Sequence, residues 1–321
     1  MTSKRRLGLI GCGTVVQTNY LPALLYYPEI NLARVNDLNS DAALQVAAMS
    51  GAEASSQDQV MADCDIVIIA TPPRSHVGLV EKFLAEGRTV ICEKPFVGRR
   101  ADAAYLADLA VERKSQLFVA HFRRCFPSVR LARGLVESGV LGQVTNVSAY
   151  EGGRFSWQSK SSYVYTDPHG GVLFDTGSHT LDMLLYVACL DRGNLEVTCA
   201  RTERDQPEPS NLIEAQVSIS REGREIPGHF KLSRVSATAN KIRVECENGF
   251  VELPVGLANY VRMGGRDGRA VIVYARESFD DLMECFALQF KQMFFHDEEG
   301  TFSAERFVNL SELLESVNGA V

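Results

Sequence analysis

A short apolar strand, Leu7–Ile10, that runs directly into Gly11-Cys12-Gly13-Thr14-Val15-Val16 leaves this chain few folds to choose from. The segment reads as a dinucleotide-binding turn of the G-x-G-x-x-G type, with Val16 in the third glycine position. Gly11 permits the tight turn, and Gly13 lets a pyrophosphate come close to the backbone. The helix that follows, from Thr14 and Val15 onward, offers free N–H groups to the phosphates. A third glycine would serve helix–strand packing, so Val16 predicts a slightly wider fit. A second strand, Ile30–Asn36, closes on Asp37, about 20 residues past the turn, where a carboxylate can bind the adenosine ribose hydroxyls. An acid there repels a 2′-phosphate, and Leu38-Asn39 adds no cation, which favours NAD and leaves NADP open. Asp37 would also serve as a turn or helix-capping residue.

The alternation continues. Ser40–Met49 is an Ala-rich helix, a shorter helix ends over Val60–Cys64, and Asp65–Ala70 is a strand of buried character. Thr71-Pro72-Pro73 follows, and His76 leads into a helix that stops at Gly87. Thr89–Cys92 is the next strand, Arg100 to Lys114 a helix, and Gln116–Ala120 a strand. Strands separated by helices at this spacing predict a doubly wound parallel sheet. Ligands bind such sheets beyond the carboxyl ends of the strands. Thr71 and Pro72 therefore line the nicotinamide side, whereas His76 suits either a cofactor contact or a capping and packing role. Glu93-Lys94-Pro95 occupies another carboxyl end, and Pro95 keeps Lys94 out of helix. A lysine fixed beside a nicotinamide can hold or relay a proton while hydride moves. Alone, the same tripeptide would pass for a surface turn.

Past His121-Phe122-Arg123-Arg124 the pattern changes. A helix over Pro127–Ser138, a strand over Gln143–Tyr150 and a helical stretch from Gly171 to Leu190 come first. From Glu196 to Tyr274 the chain is mostly strands joined by Glu-Gly, Asn-Gly and Asp-Gly turns, which predicts a largely antiparallel sheet. Helices near Phe279–Phe295 and Ala304–Asn318 close the chain. The expected division is a dinucleotide-binding unit over 1–122 and a substrate-binding and oligomerisation unit over 123–321, with a terminal helix able to pack back on the first. In the second unit Asp175 and His179 share a helix face, with Asp182 nearly in line. A carboxylate one turn from an imidazole can orient it and raise its basicity, as a general base needs. A capping Asp and a core His would give the same spacing. Gly177 inside this helix costs roughly 1 kcal/mol against alanine, tolerable where another backbone or a ligand comes close.

Taken together, Gly11-x-Gly13, Asp37, Ala70-Thr71-Pro72-Pro73 with His76, Glu93-Lys94-Pro95 and Gly170-Gly171-x-x-x-Asp175-x-x-x-His179 occur in an order that resembles the Gfo/Idh/MocA oxidoreductase family. The resemblance covers nearly the whole chain. It implies an N-terminal Rossmann domain, and a C-terminal α+β domain with a large, mainly antiparallel open sheet whose exposed face makes dimer contacts. It also implies a homodimer or homotetramer. Lys94, Asp175 and His179 match the family's catalytic trio. By that match His179 takes the proton of a sugar or cyclitol hydroxyl, Lys94 steadies the alkoxide, and Asp175 orients the pair. His169 stands where the glycine run often begins and is expected to reach the substrate. Phe122, which replaces a polar residue, is expected to alter one sugar contact.

Between Tyr150 and His169, Arg154, Phe155, Trp157, Lys160, Tyr163, Tyr165 and Asp167 mix aromatic and charged groups. With Arg123 they suit a polar, ring-shaped substrate, and Arg154 and Lys160 suit a phosphate or carboxylate equally well. The resulting expectation is a dehydrogenase or ketoreductase. A regulator that binds dinucleotide or sugar without turnover, and an imine or dihydrodiol reductase, are the alternatives. Composition narrows the partners: a net charge of −7, with no dense Lys/Arg stretch, argues against nucleic acid. The eight cysteines form no C-x-x-C pair, which points to reduced thiols, a cytoplasmic protein and no metal site. Lys4-Arg5-Arg6 precedes an apolar run too short for a secretory leader, and no run of about 18 apolar residues offers a membrane span.

Overall fold

The computed structural model describes residues 5–154, 166–167, 169–205, 209–296 and 300–320. Its first sheet is built from six strands, β1 (Arg5–Ile10), β2 (Ile30–Asn36), β3 (Glu53–Ala54), β4 (Ile66–Ile69), β5 (Thr89–Glu93) and β6 (Leu117–Ala120). All pair in parallel, in the order β3-β2-β1-β4-β5-β6. The β-branched run Ile66-Val67-Ile68-Ile69 is fully buried, as a central strand covered on both faces requires. Strand order reverses between β1 and β4, and a crevice opens there at the carboxyl ends.

The second sheet has eight strands: β7 (Val144–Gly152), β8 (Glu196–Arg204), β9 (Leu212–Arg221), β10 (Arg224–Ser233), β11 (Lys241–Cys246), β12 (Gly249–Pro254), β13 (Tyr260–Gly265) and β14 (Ala270–Tyr274). They run β14-β13-β12-β11-β7-β10-β9-β8, and every pair is antiparallel except β7 with β10. Period-two alternation sets the faces. Ile213, Ala215, Val217 and Ile219 of β9 are buried, while Glu214 and Gln216 between them face outward. Helices Pro127–Glu137 and Ser178–Val187 cover the buried face.

Helix Leu282–Lys291 packs against the first glycine-turn helix: Tyr20 meets Phe286 and Phe290 edge-on, and the Tyr27 hydroxyl donates to the Ala287 carbonyl at 2.5 Å. Between the two sheets lies a buried ionic cluster. Arg124 grips Asp182 at 2.6 Å, and Arg133 and Arg306 each reach Asp191 at 2.9 Å. Asp182, nearly in line with Asp175 and His179 in the sequence, therefore belongs to this structural network and not to the cleft. No helix of the described residues is long and apolar enough to cross a membrane.

Candidate active site

One cleft of about 1100 Å³ extends from the glycine turn to His179. At its first end Gly11 adopts φ +97°, and a Cβ there would lie 2.5 Å from the Ala70 carbonyl oxygen, so only glycine makes the turn. A Cβ on Gly13 would meet nothing within 4 Å, which leaves open space against the backbone. Thr14 and Val15 line the cleft, whereas Val16 is fully buried at the start of a π-wound turn, Val16–Tyr20. Asp37 faces the cleft with Oδ2 accepting from the Cys12 N–H at 2.6 Å and Oδ1 from the Asn39 N–H at 2.8 Å. The helix cap is Asn39, not Asp37. An open cradle at Gly13 and a carboxylate beyond β2 fit a dinucleotide.

Thr71 and Pro72 line the cleft beyond β4. His76 does not. It is fully buried behind them, with Nε2 2.9 Å from the Thr71 carbonyl and Nδ1 2.9 Å from that of Phe96. Burial outweighs these carbonyls and lowers its pKa. The imidazole sits between the loop after β4 and the segment after Lys94, and its single N–H in the neutral form donates to a carbonyl on one of the two sides.

Glu93 and Lys94 end β5 in the cleft, and the Lys94–Pro95 peptide is cis. The Glu93 carboxylate accepts from the Tyr20 hydroxyl and from the Lys94 N–H at 2.8 Å. Burial pushes its pKa up, against the pull of the Lys94 cation. Lys94 Nζ donates to Asp175 Oδ1 at 2.8 Å, and Arg234 donates to Asp175 Oδ2 at 2.6 Å. Burial alone would raise the Asp175 pKa, but these two cations hold it below 3.8. Asp175 thus positions Lys94 rather than the imidazole. The π-wound segment Leu173–Gly177 takes Asp175 off the α-helical line with His179. A Cβ on Gly177 would meet Leu232 Cδ1 at 2.6 Å, so this glycine admits a β10 side chain, not a ligand.

His179 lines the cleft, and its buried Nδ1 has no hydrogen-bond partner. Burial, then the Lys94 and Arg123 charges, drives its pKa well below 6.5, which keeps the ring neutral. Phe122 presents an edge to it at 5.3 Å and stacks on Phe286, so the aromatic substitution shapes the dry side of the cleft. At the substrate end Arg123 grips Glu151 at 2.7 and 3.0 Å, and Arg154 stands exposed on the rim. His169 misses the cleft. It packs against Gly98 and edge-on to Phe174, because Gly98 lacks the side chain that would block it. Trp157 and Tyr163 lie outside the described residues. Arg234 and Glu151 escaped sequence reasoning: Glu151 is the penultimate residue of β7 and Arg234 directly follows β10, and nothing local marks either as facing the cleft.

Residues 5–121 match the family described as an oxidoreductase family with an NAD-binding Rossmann fold, and residues 129–252 match its GFO/IDH/MocA C-terminal domain. The chain belongs to the GFO/IDH/MocA oxidoreductase family. Within the GFO/IDH/MocA family, the rhizopine catabolism protein MocA of Rhizobium meliloti is 28% identical over 201 residues, 61% of each chain. The dTDP-3,4-didehydro-2,6-dideoxy-alpha-D-glucose 3-reductase of Streptomyces violaceoruber is 32% identical over 187 residues, 55% of this chain and 52% of its own. The chain thus spans about half to three fifths of these curated relatives. The solved aldose-aldose oxidoreductase of Caulobacter crescentus shares the fold at TM-score 0.80 and 18% identity, over 99% of this chain and 97% of that one.

Proposed function

We propose that this chain is an NAD-dependent dehydrogenase or ketoreductase, with NADP as the other possible carrier, acting on a secondary alcohol of a sugar, sugar derivative or cyclitol. The observation that carries the reading is that Lys94, directly after β5, and His179, 85 residues later, both line the cleft that also holds the glycine turn. When bound, the nicotinamide takes up or gives hydride at the reacting carbon. The protein's residues handle the proton. In the oxidising direction the neutral ring of His179 accepts the hydroxyl proton. Burial, then the Lys94 and Arg123 charges, keep its lone pair free but lower its basicity, the reverse of the rise that the Asp175 spacing predicts. Lys94 donates a hydrogen bond to the developing alkoxide and helps relay its proton, and Asp175 with Arg234 fixes where the ammonium sits. The substrate class agrees with the names of relatives such as the inositol 2-dehydrogenase of Rhizobium meliloti.

The protein acts in the cytoplasm, in keeping with eight free cysteines. It assembles as a homodimer or homotetramer through the outer face of the second sheet, where Tyr260, Ile272 and Tyr274 are exposed. Incubation with NAD or NADP and a panel of aldoses and inositols, followed by reduced-nicotinamide absorbance, tests the reaction. Turnover that Lys94→Ala and His179→Asn leave intact would overturn the assignment of roles.

A further inference from the structure

We propose that the substrate carries a negative group, a carboxylate or a phosphate, which Arg154 reads at the rim of the cleft; this rests on the dehydrogenase reading above. The whole chain is acidic, at −7, yet the wall around the reacting groups has the opposite sign. Four cations line it, Lys94, Arg123, Arg154 and Arg234, against the two acids Asp175 and Glu151. Glu93 beneath Lys94 reduces that excess to one positive charge when ionised and leaves two when protonated. His179, held neutral, changes neither count.

Both acids are already engaged. Glu151 takes Arg123 in a two-bond fork and accepts from Thr180, and Asp175 is shared between Lys94 and Arg234. Among the described residues no carboxylate pairs with Arg154, which follows the cleft-lining glycines Gly152 and Gly153.

The excess does not serve the dinucleotide. At that end the lining includes Gly13, Thr14 and Val15 and the acids Asp37 and Asp41, and contains no lysine or arginine. Backbone N–H groups bind the pyrophosphate there. A concave wall of one sign concentrates ligands of the other, and a guanidinium makes short, charge-assisted bonds to carboxylate or phosphate.

The test compares D-glucose, D-glucuronate and D-glucose 6-phosphate on the full chain with NAD, by calorimetric binding and by NADH formation. One charged sugar should bind, or give kcat/KM, about tenfold better than glucose, in line with a charge-assisted contact at an exposed position. That ratio should collapse in Arg154→Ala, recover in Arg154→Lys and shrink with added salt. Which of the two anions responds separates carboxylate from phosphate. Turnover of glucose without preference for either charged sugar overturns the proposal and leaves the dehydrogenase reading standing. Arg154-dependent anion binding without NADH supports the anion site and shows that these two sugars lack the oxidisable carbon, while the dehydrogenase reading itself stands or falls on the panel of aldoses and inositols with NAD or NADP. Failure of both anions to bind better than glucose, or a ratio unmoved in Arg154→Ala, overturns it.

Discussion

Asp175→Asn removes one negative charge and leaves two cations facing each other. The Lys94 side chain is 16% exposed and that of Arg234 2%, so water screens little of their repulsion. Removing one partner from a buried ion pair costs about 3–5 kcal/mol, and the amide oxygen retained by Asn favours the lower end. At about 2 °C per kcal/mol for a chain of this size, the melting temperature should fall by about 6 °C. Lys94 would also lose the group that fixes it, and a misplacement of about 1 Å costs on the order of 100-fold in kcat/KM. The pH dependence identifies the cause. The folded-state pKa of Asp175 lies below 3.8, so its stabilisation is present above that value and is lost as pH falls through the lower folded value. The gap between wild type and variant should stay level from pH 8 to 5 and close only below about pH 4. Thermal melts across that range measure it, and adding Arg234→Met to the variant should recover part of the loss. A variant that melts with the wild type at pH 7, or a gap indifferent to acid, would refute the ion-triad argument.

The fully buried His121 makes no hydrogen bond on either nitrogen, its Nδ1 lying 3.5 Å from Asp182 Oδ2, and burial followed by the Arg124 charge drives its pKa well below 6.5. Its protonation favours the unfolded chain, so stability should drop as pH falls beneath 6.5. His121→Phe should flatten that slope by up to about 1.4 kcal/mol per pH unit in denaturant titrations. Gly11→Ala forces a side chain into the Ala70 carbonyl and should weaken NAD binding at least about tenfold by calorimetry, with a stability loss of about 1–3 kcal/mol. Asp37→Ser should raise the Kd for NAD by about tenfold and narrow its advantage over NADP, since the repulsion of a 2′-phosphate disappears. An unchanged NAD to NADP ratio would remove Asp37 from cofactor selection.

Local chemistry determined a great deal. Strand Ile30–Asn36 falls where its apolar periodicity ends at Asp37, and the glycine turn lies where φ +97° forbids a side chain at Gly11. Lys94 at a strand's carboxyl end follows from the order of strands, helices and a proline. These features depend on backbone conformation and on neighbours a few residues away, so sequence carries them. Partners did not. Asp175 is four residues from His179 yet bonds to Lys94 and to Arg234, 59 residues on, because the π-wound turn and the end of β10 decide what its carboxylate meets. Asp182 turns into the buried ion cluster, His76 sits between backbone carbonyls, and His169 finds the space left by Gly98. In each case the side chain's fate was set by the group that long-range packing brought opposite it. A polar group taken out of water must be satisfied by whatever the fold supplies there.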